Sequence, residues 1–256
     1  MKIAVCIKQV PTREWQPRID DGKRGVREQD ASFEMNEPDA YALEEALRLR
    51  EKHGGEVVVC TAGPARASQV LREALARGAD RAIHVEHERL SSITTDPFVV
   101  AGALADAVRD EKFDLVLTGL QSDDQGAAQT GVILAERLAL PHATIVMEVQ
   151  VQPSDVRVKR ELEGGWFQWV QMPLPALLTI QSGINQLRYA TLKGIMAAKK
   201  KEIRKVSPTS LTAAHATVVS LDIPRKTKQT QLISGAPAEA ANTLIKKLRD
   251  EARVIG

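Results

Sequence analysis

NEPDAYALEEALRLREKHGGEVVVCTAG, residues 36–63, sets the architecture because it couples one helix to one buried strand. Asn36 suits an N-cap, Pro38 a first turn, and Asp39 the positive end of the helix dipole. Leu43, Ala46 and Leu47 recur at helical spacing on one face, and Gly54-Gly55 stops the helix. EVVVCTAG (56–63) is apolar without alternation, the pattern of a strand covered on both faces.

The same unit repeats outward. KIAVCIKQV (2–10) is a second apolar run, ended by Pro11 and followed by a polar stretch to about residue 35. Downstream come a helix over 64–77 stopped by Gly78, the strand RAIHV (81–85), and a helix from Asp96 or Pro97 to about Asp110. The strand DLVLTG (114–119) and a helix over 126–138 follow. This β-α-β-α rhythm predicts an α/β fold with a doubly wound, mostly parallel sheet, Rossmann-like and of the adenine-nucleotide-binding type. Crossovers should be right-handed, and ligands should sit beyond the carboxyl ends of the strands. After Pro141 the pattern changes to ATIVMEVQV, VRVKRELEG, WFQWVQM and ALLTIQS, with a turn at Gly164-Gly165, which reads as a β-hairpin insertion over 144–182. From Gly183 the chain turns basic and less periodic, broken by Pro208 and Pro224, and only AEAANTLIKKLRDEARV reads as helix. The expected organisation is an α/β nucleotide-binding domain over 1–183, a loop and basic helix over 184–205, and an extended C-terminal arm over 206–256.

Composition narrows the function classes. The 256 residues are 43% hydrophobic and 27% charged with a net charge of +2, which argues against disorder and against a global polycation. Cys6 and Cys60 each sit in an apolar run and read as buried thiols. Five histidines and two cysteines fall at no metal-ligand spacing. His53, His84, His142 and His215 lie in helix-end, strand or loop contexts and read as structural or solvated. Glu44 and Glu45 are expected on the solvated helix face. MKIAVCIKQV is interrupted too early to be a signal peptide, and no apolar run reaches about twenty residues, so the expectation is a cytoplasmic protein not integral to a membrane.

The carboxyl end of the fourth strand carries GLQSDDQGAAQTG (119–131). Small residues lead into a helix whose first N–H groups have no intrahelical acceptor, and Gln129 and Thr130 add side-chain donors, which together suit an anion. Asp123 and Asp124 oppose a phosphate unless they face a ribose or base, or cap the helix. The loop after the first strand (8–12), the Asn36 turn and Thr61-Ala62-Gly63 should converge on the same place. Neither GxGxxG nor GxxxxGK[ST] is present, and no nucleophile–base pair is offered by spacing. A nucleotide could bind here without being hydrolysed; a capped helix after a plain loop is the bland alternative.

A second region is RYATLKGIMAAKKK (188–201). Between 188 and 205 seven cations, Arg188, Lys193, Lys199, Lys200, Lys201, Arg204 and Lys205, face Glu202 alone. A solvated helix face is the simplest reading. Tyr189 is the lone stacking aromatic, too little for a nucleic-acid module, and a membrane-surface helix would carry more bulky apolar residues.

Taken together, KIAVCIKQV with MNEPDAYALEEALRL, then GLQSDDQGAAQTG, then VKRELEGGWFQWVQMPLPALLTI followed by RYATLKGIMAAKKK resemble the β subunit of electron transfer flavoprotein, over most of the chain to about residue 205. The resemblance implies a heterodimer with an α subunit that holds most of the FAD, the redox centre. It implies a structural AMP on this chain, contacted by Cys6 through its backbone, Asn36, Ala62, Asp124, Gln129 and Thr130, with Gly126 and Gly131 shaping the loop. Electron-bifurcating members place a second FAD there instead; the Gln129-Thr130-Gly131 ending resembles the AMP type. It further implies docking to acyl-CoA dehydrogenases and related flavin dehydrogenases of fatty acid oxidation. Leu192 would be the anchor beside Tyr189, Ile195 and Met196, with Lys199, Lys200 and Lys201 steering an acidic partner. A quinone oxidoreductase would accept the electrons for the respiratory chain. The terminal helix would pack on α, and loop 11–19 with Trp15 would face the flavin edge. The chain is then an electron carrier subunit with no catalytic residue of its own. Two competing classes are a stand-alone adenine-nucleotide-binding regulator, akin to universal stress proteins, and a nucleic-acid binder acting through the lysine run.

Overall fold

The computed structural model describes residues 1–90, 94–208, 210–224 and 230–255. In chain order come β1 (Lys2–Cys6), β2 (Gln9–Pro11), β3 (Phe33–Met35), α1 (Glu37–His53), β4 (Glu56–Gly63), α2 (Ser68–Arg77), β5 (Arg81–Glu86), α3 (Pro97–Val108) and β6 (Leu115–Gly119). Then follow α4 (Thr130–Leu138), β7 (His142–Val151), β8 (Asp155–Glu161), β9 (Phe167–Pro173), β10 (Ala176–Ile180), α5 (Leu192–Ala198), β11 (Ile203–Val206) and α6 (Pro237–Asp250).

One nine-stranded sheet has the order β11-β5-β4-β1-β6-β10-β7-β8-β9. Strands from β11 to β7 pair in parallel, and β8 and β9 add antiparallel. Alternation along the strands divides two cores. Ile3, Val5, Val57 and Val59 meet Leu43 and Leu47 of α1 and Leu71 and Leu75 of α2. Ala4, Cys6, Val58 and Cys60 meet Leu104 and Val108 of α3 and Leu134 of α4. Both faces are therefore covered, which is why the strands read as unbroken apolar runs. Burying each large aliphatic side chain contributes about 1.5–3 kcal/mol.

The chain lays β4 and β5 on one side of β1, then crosses through α3 to place β6 on the other. The order reverses between β1 and β6, and a crevice opens there at the carboxyl ends. β10 lies inside the sheet, between β6 and β7, and the β7-β8-β9 meander extends its far edge. Gly164 and Gly165 take φ of 69° and 79° in the turn between β8 and β9, which a side chain would resist.

Several expected boundaries move. The run 2–10 ends as β1 at Cys6, and its tail forms β2, which pairs with β3 through Gln9↔Met35. α4 starts at Thr130 and not at Gly126, because Gly126 and Ala128 both have left-handed φ, 63° and 54°, and break the helix. The basic segment contributes β11, paired with β5 from Ile203↔Ala82 to Val206↔Val85. One compact unit spans Met1–Leu221, so the stretch 184–221 belongs to it; Asp222–Gly256 forms a second unit. In that second unit α6 has no buried residue, and Leu244 and Ile245 are exposed. Residues 209, 225–229 and 256 of the expected arm lie outside the described residues.

Candidate functional site

At the carboxyl ends of β1, β4 and β6 lies a cleft open to solvent. Cys6 to Gln9 border it after β1, Ala62 to Pro64 after β4, Gly119 to Ser122 after β6, and Ala127 to Gly131 at the approach to α4. Leu90, Val100 and Leu104 supply an apolar wall, and Thr95, Gln125 and Gln129 supply polar groups. Of the residues anticipated for a nucleotide, Cys6, Asn36, Ala62, Gln129, Thr130 and Gly131 all line this cleft. Asp124 and Gly126 stand in the adjoining loop.

Local chemistry explains the shape. Gly131 lets the first turn of α4 rest on β6 and β10. A Cβ there would come within 2.7 Å of Thr118 Oγ1 and 2.7 Å of Thr179 Cγ2. The free N–H groups of that turn are thereby held beside the strand ends. Gln129 occupies the N-cap position without making a capping hydrogen bond. Lys8 Nζ ties the loop to β1, pairing with Asp124 Oδ1 at 2.7 Å and donating to Ser122 Oγ at 3.2 Å. Asp124 is therefore balanced by a cation and does not confront an anion alone.

The start of α1 braces the crevice in a way the sequence did not reveal. Asn36, 1% exposed, sits at the N-cap position but makes no side-chain cap. Its Nδ2 donates to Gln121 O at 2.9 Å, and its Oδ1 accepts from Asp123 N at 2.9 Å, clipping the loop after β6. Asp39 was expected only to favour the helix dipole. Instead its buried carboxylate accepts from Lys8 N at 2.7 Å and Gly119 N at 2.8 Å, bridging the ends of β1 and β6 where they part. Burial pushes its pKa up to about 7, against the pull of those two N–H groups. Thr61 Oγ1 adds a tie from β4 to Ile7 O at 2.7 Å. Cys6 and Cys60 face each other in register, and the hydrogen bond between them, with burial, holds the Cys6 thiol well above its ordinary pKa. Buried His84 places Nε2 3.2 Å from Gly63 O, and burial lowers its pKa, a structural role as expected.

The second region is a platform on the other end of α1. Tyr189 and Leu192 are 90% and 78% exposed, and Ile195 and Met196 are exposed beside them on α5. Thr191 caps α5 by accepting from Gly194 N at 3.0 Å. Gly194 lets α5 lie against α2, since a Cβ would approach Ala76 O to 2.2 Å. Arg72 of α2 donates to Ala198 O and Lys201 O, while Lys201 Nζ donates to Leu75 O and Ala79 O. Each helix thus receives a cation at its negative end.

This arrangement shrinks the expected basic patch. Lys201 is turned into the end of α2, Arg188 is paired with Glu44 and Glu51, Arg204 with Glu111, and Lys205 with Glu86. Lys193, Lys199 and Lys200 remain exposed. Glu44, expected to be solvated, is buried under Arg188 and Arg48, and Glu45 accepts from Asn185 Nδ2 at 3.0 Å. Apolar periodicity cannot reveal such a burial, because the covering group comes from 144 residues away. Trp15 is half-buried in the loop after β2. Among the described residues there is no cluster able to hold a metal ion and no helix long and apolar enough to cross a membrane.

Comparison with known proteins agrees with this layout. The electron transfer flavoprotein domain matches residues 24–211. The chain is 37% identical to electron transfer flavoprotein subunit beta of Methylophilus methylotrophus, covering 98% of each chain. It is 38% identical to the mitochondrial subunit beta of Oryza sativa over the whole of both chains, and 34% identical to subunit beta of Homo sapiens over 99% of each. Similarity of this extent, together with the parallel sheet and its strand-end cleft, places the chain in the electron transfer flavoprotein family, among the beta subunits.

Proposed function

We propose that this chain is the β subunit of a heterodimeric electron carrier, pairing with an α subunit that holds most of the FAD. It binds AMP structurally in the strand-end cleft and docks flavin dehydrogenases, acyl-CoA dehydrogenases among them, through Tyr189, Leu192, Ile195 and Met196. The observation that carries the AMP assignment is the convergence of Cys6, Asn36, Ala62, Gln129, Thr130 and Gly131 on one cleft in a chain of this family. The residues present fit the nucleotide. Leu90, Val100 and Leu104 offer an apolar wall to a base, and the start of α4 offers N–H groups to a phosphate. Asn36 acts by holding the loop, since its amide is already engaged on both sides.

FAD supplies the redox chemistry when bound. In this reading the residues of this chain assemble, hold the nucleotide and present a docking face, and none of the described residues is assigned a catalytic role. Lys199 and Lys200 favour an acidic partner surface and speed encounter more than they tighten the complex. A quinone oxidoreductase is the acceptor in this reading, and α6 with the second unit wraps the α subunit.

Co-expression with the neighbouring α-like gene, followed by cofactor extraction, tests the proposal. A yellow heterodimer yielding one FAD and one AMP supports it. Two FAD and no AMP would make the chain a bifurcating-type subunit. A colourless chain that ignores the α-like partner would sink the assignment.

A further inference from the structure

We propose that Glu44 is a positioning residue for dehydrogenase docking, acting through Arg188 to fix the backbone that leads into Leu192. The proposal rests on the docking role given above to residues 189–196.

The geometry is that of a latch. Glu44 is 4% exposed and sits one helical turn from Arg48 on α1. Its Oε2 accepts from Arg188 Nε at 2.8 Å and from Arg188 N at 3.2 Å, while its Oε1 accepts from Arg188 Nη2 at 3.0 Å. Arg188 also forks onto Glu51, at 2.6 Å and 3.2 Å. Two bidentate contacts from one guanidinium define its position and orientation far better than a point charge would. Arg48 supports the latch twice, donating Nε to Glu44 at 2.9 Å and Nη2 to Gln186 O at 3.1 Å. Asn185 adds Nδ2 to Tyr41 O at 3.2 Å. Residues 185, 186 and 188 are thus strapped to one stripe of α1, immediately ahead of Tyr189, which projects into solvent.

Exposed apolar side chains on a short helix bind through whatever fraction of time they are held in the competent arrangement, and affinity falls in proportion to that fraction. Holding the segment against α1 keeps that fraction near one. Lys193, Lys199 and Lys200 lie outside the latch and are left to the partner.

The test uses Glu44→Gln in the FAD-loaded heterodimer, with Leu192→Ala and the double variant alongside. Reduction by an acyl-CoA dehydrogenase is followed against carrier concentration, and amide hydrogen exchange is followed over 185–196. The expected result for Glu44→Gln is an apparent KM raised about tenfold, for a competent fraction cut to about a tenth, with kcat and FAD content unchanged. Exchange over 185–196 should be faster while β1 stays protected. The double variant should be little worse than Leu192→Ala alone, because both act through one contact. If Glu44→Gln matches wild type in KM and exchange while Leu192→Ala raises KM, the latch is refuted and the docking role stands. If Leu192→Ala also leaves KM unchanged, the docking role fails and the latch fails with it. Should Glu44→Gln not assemble, Glu51→Gln removes the exposed half of the fork, and unchanged exchange over 185–196 in that variant refutes the latch.

Discussion

Replacing Asp39 by asparagine separates two opposed forces at the base of the cleft. The carboxylate accepts from Lys8 N and Gly119 N, which favours its charged form, while burial favours the neutral one and raises its pKa from 3.8 to about 7. Between those values the folded chain holds a proton that the unfolded chain has released. Stability therefore falls as pH rises through this window, by about 1.4 kcal/mol per unit, and levels off above the folded-state pKa. From pH 5 to pH 7 the loss comes to about 2 kcal/mol, because the group is already half-ionised at pH 7. The amide introduced by Asp39→Asn does not titrate. It would keep one acceptor oxygen but turn an NH₂ toward the other backbone N–H, leaving a buried donor unpaired at a cost of about 1–3 kcal/mol at every pH. The stability gap between the wild-type and Asp39→Asn chains should thus shrink by about 2 kcal/mol from pH 5 to pH 7, narrowing or inverting near neutrality. The assay is urea denaturation of the purified complex at matched concentration, followed by circular dichroism at pH 5, 6, 7 and 8, because subunit concentration shifts apparent stability. Taking the difference between the two chains cancels every other titrating group. A gap that stays constant from pH 5 to pH 8 would refute the reasoning and show that the two N–H groups keep Asp39 ionised throughout.

Gly131→Ala should push the first turn of α4 away from Thr118 and Thr179, costing about 1–3 kcal/mol by overpacking; extraction should recover less AMP per FAD than from wild type. Glu111 receives Arg81 at 2.7 Å, Lys2 at 2.8 Å and Arg204 at 2.9 Å, and the hydrogen bond from Arg81 leads in holding its pKa near 2. Its contribution is present above pH 4.5 and is lost as pH falls toward 2. Glu111→Gln should therefore cost about 1 kcal/mol at pH 7, after allowance for solvent, with the gap from wild type closing in urea melts as pH is lowered from 5 to 3.

What could be read from the sequence follows from the range of the forces involved. Apolar runs and helix signals are local, so β1, β4, β5, β6 and β10, with the helices between them, follow from composition and spacing. β2, β3 and β11 escape because strands of three or four residues leave no period to detect, and β11 is held by pairing with a strand distant in sequence. Six of the eight nucleotide-site candidates line one cleft because the parallel fold itself brings strand ends together. The braces were invisible for the opposite reason. Asp39 and Glu44 look like ordinary first-turn and solvated-face acids, and only tertiary partners, Lys8 and Gly119 for one and Arg188 for the other, turn them inward. Both lie on α1. Its first turn bridges β1 and β6 at the cleft, and its next turns grip the segment that presents Leu192. The helix that decides the fold from sequence is thus also the rigid member shared by the strand-end cleft and the exposed apolar face of residues 189–196, the two sites proposed above for AMP and for docking. A change in its tilt would disturb both sites together, whereas the Glu44 and Asp39 substitutions should each disturb one.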